Sequence, residues 1–251
     1  MPALYDRIGA GYAGLRRADP RIADRIHGLL GPPARLLNVG AGTGNYEPVD
    51  REVVAVEPSA GMIRQRPPGA APAVRAEASA LPFADGAFGA AMAVLTVHHW
   101  ADHAAGLREL RRVTRGPVVI LTFDPAARPW LTDYLPGLAA LDEAQMPALD
   151  AYAHALGPVR ILPLPTPHDC IDGFLYAYWR RPEAYLDPRI RSGSSSFRAL
   201  GDVGPGLARL AADLDSGEWR RRHAGLEEAE AYDAGYRLVV SEGSSAYGGS
   251  A

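Results

Sequence analysis

The chain has no lysine: all 26 of its basic residues are arginine. Set beside 27 glycines, 22 prolines and abundant alanine, this reads as compositional bias, so a single arginine says little about anion binding. Cysteine is nearly missing as well. Cys170 alone cannot form an intrachain disulfide, and such sparse cysteine suits a reducing compartment. The longest apolar run, around residues 87–97, falls short of the ~20 residues needed to span a bilayer. No charged-then-apolar leader opens the chain. Cytoplasmic location and no membrane partner are therefore expected. Net charge is −3, which gives no reason to expect a nucleic-acid partner. Metal is not expected either, because His, Cys and carboxylates do not recur at convergent ligand spacing. At 251 residues the chain can hold one sizeable α/β domain and an elaboration.

What is present begins with Leu36-Leu37-Asn38-Val39-Gly40-Ala41-Gly42-Thr43-Gly44, an apolar strand entering a turn with glycine at every second position. Glycines there let the backbone reach φ > 0 and let a ligand approach without meeting a Cβ. The next apolar run, Val53–Val56, ends on Glu57, a carboxylate placed to take both hydroxyls of a ribose. The spacing is G-x-G-x-G, not the G-x-G-x-x-G of dinucleotide binders, and no Lys-Ser/Thr pair follows to cradle phosphates. A nucleoside lacking a pyrophosphate fits better, and S-adenosylmethionine is the candidate.

Buried-strand runs recur at 35–39, 53–57, 73–76, 90–97, 117–123, 159–162 and 236–240, separated by helical or turn segments, which is the pattern of a doubly wound sheet. Asp19-Pro20 reads as an N-cap followed by Pro at the first helical position. The crossover from Ala41 to Glu52 leaves room for a helix of little more than one turn. Residues 130–156 read as helical with breaks at Pro136 and Pro147. Val203, Leu207, Leu210 and Leu214 mark an amphipathic helix, and a second is expected around 218–231. The chain divides into an N-terminal helical cover (1–30), a Rossmann-like core (31–163 and 234–242), a helical and aromatic cap (164–233) and a flexible tail (243–251).

Taken in order, several motifs resemble the class I S-adenosylmethionine-dependent methyltransferases, in the small-molecule branch that includes ubiquinone/menaquinone-biosynthesis and trans-aconitate methyltransferases. They are Asn38–Gly44; Val56-Glu57-Pro58-Ser59-x-x-Met62; Ala76–Phe88; Val97-His98-His99-Trp100; and Arg112-Val113-Thr114-Arg115-Gly116, together covering roughly residues 5–124. The resemblance implies a seven-stranded, mostly parallel sheet with the last strand antiparallel. It implies that Gly40, Ala41, Gly42 and Gly44 pack against the cofactor's methionine portion, that Glu57 holds the ribose, and that Pro58 and Met62 lie on the adenine. Glu77, where Asp is more usual, would read the adenine edge with the Ala78 amide. Val97 is counted with these contacts. Tyr12 and Arg16 match an N-terminal segment that covers the cofactor, with Tyr12 also facing the acceptor.

Methyl transfer from an activated donor asks a protein mainly to align its reactants and exclude water, so no catalytic triad need appear. His98 and His99, after the fourth strand, sit where an open α/β sheet places its crevice. Either one faces the transferred methyl as a base, or both cap the strand and brace its loop. His168-Asp169-Cys170 follows a proline-rich turn; His168 is a candidate base and Asp169 a substrate contact, with a polar loop as the plainer alternative. Trp130, Tyr134, Tyr178 and Arg191 could line an acceptor site, though such aromatics also suit the cap's own core. The expected partner is a small molecule, the expected assembly a monomer or homodimer. An RNA or protein methyltransferase, a cofactor-binding relative without methyl transfer, and a nicotinamide oxidoreductase are the weaker readings.

Overall fold

The computed structural model describes residues 16–32 and 34–243. Among the described residues nine strands form: β1 Leu36–Val39, β2 Val53–Val56, β3 Ala73–Val74, β4 Ala90–Val94, β5 Val118–Phe123, β6 Arg160–Pro163, β7 Thr166–Pro167, β8 Ala231–Tyr232 and β9 Tyr236–Ser241. Seven of them make one sheet in the order β3-β2-β1-β4-β5-β9-β6, and β7 pairs with β8 in a separate ribbon. β3, β2, β1, β4 and β5 are parallel, while β9 runs antiparallel to both β5 and β6. The sheet is thus the expected one, with the last strand reversed.

Every residue of β1, β2 and β5 is buried, because helices and loops cover both faces, and a strand covered twice reads as an unbroken apolar run. The sheet separates two cores. Leu36, Met92 and Leu121 face one with Ile22 and Ile26 of the first helix. Leu37, Ala91 and Ile120 face the other with Leu107 and Leu110. That first helix, Pro20–Leu29, starts as expected, with the Asp19 side chain accepting from the Arg21 backbone N–H. Helices at 131–134, 137–145 and 149–156 break around Pro136 and Pro147, also as expected.

Four expectations need correcting. The fourth strand stops at Val94 rather than 97: Leu95 sits at φ +49°, which an L residue rarely adopts, and Val97–His99 form a 3₁₀ turn. The β1–β2 crossover carries turns and no helix, since Gly40, Gly42 and Gly44 all take positive φ. The third strand has only two residues. The helical reading of 218–231 resolves into two short helices, 218–222 and 224–227, followed by β8. β7 and β8 pair Thr166 with Tyr232 and Pro167 with Ala231, which ties the cap's two ends together. Tyr12 and the tail from residue 244 lie outside the described residues.

Candidate functional site

At the carboxyl ends of β1, β2 and β4 lies a cleft of about 880 Å³, its open mouth included. Gly40, Ala41 and Gly42 line it, along with Glu57, Pro58, Met62, Glu77 and Ala78. The close passage of the turn explains its first glycine: a Cβ on Gly40 would stand 1.9 Å from Thr96 Oγ1, and the residue sits at φ +70°. Glu57 is 5 % exposed, and its carboxylate accepts two backbone N–H groups, from Gly42 and Ser59, each at 2.9 Å. Burial pushes its carboxyl above the usual carboxylate range, against the pull of those two donors. Behind the turn, Asn38 Nδ2 donates to Glu47 Oε1 at 3.0 Å, and Glu47 Oε2 pairs with Arg66 at 2.6 Å. Gly44 belongs to this buttress, since a Cβ there would meet Glu47 and Arg66 within 3.2 Å.

A second cavity, about 490 Å³ with its mouth, adjoins the first; Arg16, Leu95 and His99 line both. Aromatic rings form part of its wall: Phe123 stacks on Tyr176 with ring centroids 5.0 Å apart, and Phe174 meets Tyr236 edge-on at 4.6 Å. His98 lines this cavity. Burial holds the His98 imidazole well below its ordinary pKa, and burial with the Arg16 charge lowers His99 to about 4. Both rings are therefore neutral at pH 7, the state in which an imidazole nitrogen can accept a proton.

Between the cavities runs a tie that no local motif announces. Asp172, fully buried, takes Arg16 Nε at 2.6 Å and the Tyr46 hydroxyl at 2.8 Å. Asn45 Nδ2 donates to the Arg16 carbonyl at 3.0 Å. The glycine turn, the segment before the first helix and the cap loop thus meet at one carboxylate.

The structure brings Arg16, Gly40, Ala41, Gly42, Glu57, Pro58, Met62, Glu77, Ala78, His98 and His99 to these two cavities. Others it places elsewhere. Val97 is 1 % exposed and packs into the core with Leu107 and Val113, because the 3₁₀ turn directs it inward. His168 stands in the cap loop beside the Glu230 carboxylate, Nδ1 to Oε2 3.5 Å. Asp169 is exposed and pairs with Arg21 at 2.7 Å, fastening the cap loop to the first helix. Trp130 donates its indole N–H to the Trp179 carbonyl at 3.0 Å and packs on Trp219. Tyr134 donates to Asp213 at 2.6 Å, Tyr178 lies under the Arg181 guanidinium, and Arg191 donates to the Tyr185 carbonyl at 2.7 Å. These aromatics serve the core joining cap to sheet. Sequence reasoning missed Asp172, Tyr46, Leu95 and Asp142, while Tyr176 belongs to the aromatic stretch 176–181 that the sequence offers either as a pocket wall or as the insertion's own core, and it lines the second cavity. Of the four missed, Asp142 left a signal, as a carboxylate four residues after Leu138 on the buried face of one helix.

Residues 37–120 match a family described as methyltransferase domain. A crystal structure of a candidate antibiotic-pathway methyltransferase from Anabaena variabilis is 34 % identical, superposes with TM-score 0.83, and covers 90 % of this chain and 98 % of its own. The chain belongs to the class I S-adenosylmethionine-dependent methyltransferases. Demethylmenaquinone methyltransferase of Mycolicibacterium vanbaalenii is 32 % identical over 145 residues, 53 % of this chain; the match spans 64 % of that relative's length. Phosphoethanolamine N-methyltransferase 2 of Haemonchus contortus, solved with S-adenosyl-L-methionine, shares the fold at 13 % identity and TM-score 0.59, over 95 % of this chain and 59 % of that one.

The cofactor of this class suits what the cleft offers. Glu57 is a buried carboxylate with only two of its roughly four acceptor positions filled. Pro58, Met62, Val56, Ala76 and Ala78 supply flat apolar walls, and the lining arginine, Arg16, is already engaged by Asp172. That chemistry fits a neutral sugar and a planar base and disfavours a diphosphate.

Proposed function

We propose that this chain transfers the methyl group of S-adenosylmethionine to a small, largely apolar acceptor seated in the second cavity. One observation carries the reading: the two cavities adjoin at Arg16, Leu95 and His99, with the carboxylate and glycine turn in one and a neutral histidine pair in the other. The mycobacterial relatives are named for a small-molecule acceptor, and that class is carried over here. Glu57 would hold the ribose, Pro58 and Met62 the adenine, Glu77 with the Ala78 amide its edge, and Gly40, Ala41 and Gly42 the methionine portion. When bound, S-adenosylmethionine supplies a methyl group already activated for displacement.

The protein's own contribution is alignment, dryness and proton handling. Phe123, Phe174, Leu175 and Tyr236 exclude water from the acceptor. His98, held neutral by burial, would accept the proton of an attacking hydroxyl or amine. His99, on the wall shared by both cavities, is placed to orient that group. Cys170 is buried, its thiol pushed up to about 12, so it is inert and consistent with a reducing cytoplasmic setting.

The test is incubation with methyl-labelled S-adenosylmethionine and a panel of small hydroxylated and amine compounds, with label read in the products. Label transfer by the wild-type protein, retained S-adenosylhomocysteine affinity in His98→Ala, and turnover lowered roughly 10²-fold or more are expected. Affinity for S-adenosylhomocysteine without transfer to any compound, or a His98→Ala variant of normal turnover, refutes the respective assignment.

A further inference from the structure

The second cavity contains a carboxylate that the proton transfer to His98 proposed above does not use. Asp142, on the helix Gly137–Gln145, is 2 % exposed and lines that cavity between apolar walls of Phe123, Met146, Phe174 and Leu175. One oxygen, Oδ2, accepts the Tyr176 hydroxyl at 2.8 Å. The other, Oδ1, receives no donor from any described residue. A buried carboxylate costs stability unless its acceptor positions are filled, so a half-satisfied one in the wall of a cavity points to a donor that arrives with a ligand. The remaining lining groups agree. The Arg16 charge is met by Asp172, His98 and His99 are neutral, and Ser194, Ser195 and Ser196 are uncharged, so the cavity carries net negative character.

Building on the methyltransferase reading, we propose that Asp142, held by Tyr176, is a specificity subsite that takes a hydroxyl or amine N–H of the acceptor and rejects anionic acceptors. Its Oδ1 accepts the hydrogen bond, and the aromatic walls take the apolar body. Tyr176 is the positioning residue: its hydroxyl fixes the carboxylate rotamer, while its backbone N–H is anchored on the Tyr236 hydroxyl at 3.2 Å.

The experiment uses the full chain saturated with S-adenosylhomocysteine, whose binding is first measured by calorimetry. Four probes identical but for one substituent are then titrated by ligand-observed NMR: 4-hydroxy-, 4-amino- and 4-methylacetophenone, and 4-acetylbenzoate. The hydroxyl and amine probes should bind about tenfold or more tighter than the methyl probe, in line with hydrogen bonds to charged groups, and the benzoate weakest. Asp142→Asn should narrow the difference to under about threefold, because the amide presents a donor or a weaker acceptor at the same place. The double variant Asp142→Leu/Tyr176→Phe removes both polar partners, which spares the fold, and should reverse the preference toward the methyl probe. Equal binding of the wild-type protein to all four, tighter binding of the benzoate, binding of none, or an unchanged preference in both variants overturns the subsite. Failure of S-adenosylhomocysteine to bind is a separate result that removes the underlying reading and the subsite with it.

Discussion

Replacing Glu57 with alanine probes two roles, the closure of the glycine turn that its hydrogen bonds show and the grip on the ribose proposed for it. Its carboxylate closes the glycine turn by accepting the Gly42 and Ser59 backbone N–H groups at 2.9 Å each, in a site only 5 % exposed. Each buried donor left without an acceptor costs about 1–3 kcal/mol, and water entering from the cleft recovers part of it, so the fold should lose roughly 2–4 kcal/mol. On the proposed reading, the same substitution also removes the acceptor for the ribose hydroxyls. Hydrogen bonds to a charged group contribute about 1.5–3 kcal/mol, which corresponds to a roughly 10- to 150-fold weaker Kd for S-adenosylhomocysteine. Glu57→Gln keeps the shape and one acceptor oxygen but turns an NH₂ toward the second backbone N–H, so it should fall between wild type and alanine. Urea unfolding reads the first effect, and titration calorimetry on protein confirmed as folded reads the second. A folded Glu57→Ala protein with unchanged affinity for S-adenosylhomocysteine would refute the ribose assignment, and unchanged stability would refute the account of the turn.

Asp142 gives a stability prediction with a definite sign. Burial raises its folded pKa from 3.8 to about 6, so its favourable contribution is complete below about pH 3.8 and is lost as pH rises through 6. A displacement of about two pH units corresponds to roughly 3 kcal/mol, so Asp142→Asn should be more stable than wild type by up to that amount at pH 8, with the gain fading by pH 4. A gain independent of pH in urea unfolding contradicts this. Asp172→Asn leaves Arg16, 13 % exposed, facing a neutral amide, and should destabilise by about 3–5 kcal/mol, as breaking a buried ion pair does. A thermal unfolding midpoint within a degree of wild type would show that the tie contributes little.

The parts legible in the sequence were those that depend on local backbone demands. The glycine turn, Glu57 at the end of β2 and the run of apolar strands each follow from a periodicity or a steric need confined to a few neighbours. The Asp19 cap is of the same kind. The second cavity was not legible, because Arg16, His98, Asp142, Tyr176 and Ser194 converge only after the chain has crossed the sheet and the cap has folded back. Trp130 and Tyr178 illustrate the opposite error. Aromatics in an insertion suit a ligand wall and a private core equally well, and burial against Trp219, Tyr185 and Arg181 is set by tertiary packing alone. Leu95 could not be foreseen either, since nothing about leucine suggests a left-handed residue. Strain of about 1–2 kcal/mol at that position is tolerated where two cavities share a wall.

The two-residue ribbon of β7 and β8 has an architectural consequence. Because entry and exit of the insertion lie side by side, its closing entropy is met once, at the ribbon, and grows only slowly with the number of residues beyond it. The portion carrying Phe174 and Tyr176 is committed to the sheet through Phe123 and Tyr236. The helices farther out, from Pro188 to Glu227, meet the rest of the fold through Trp219 on Trp130 and Asp213 on Tyr134, so chimeras that exchange them while keeping those contacts would retune what the enzyme accepts and leave the donor chamber intact.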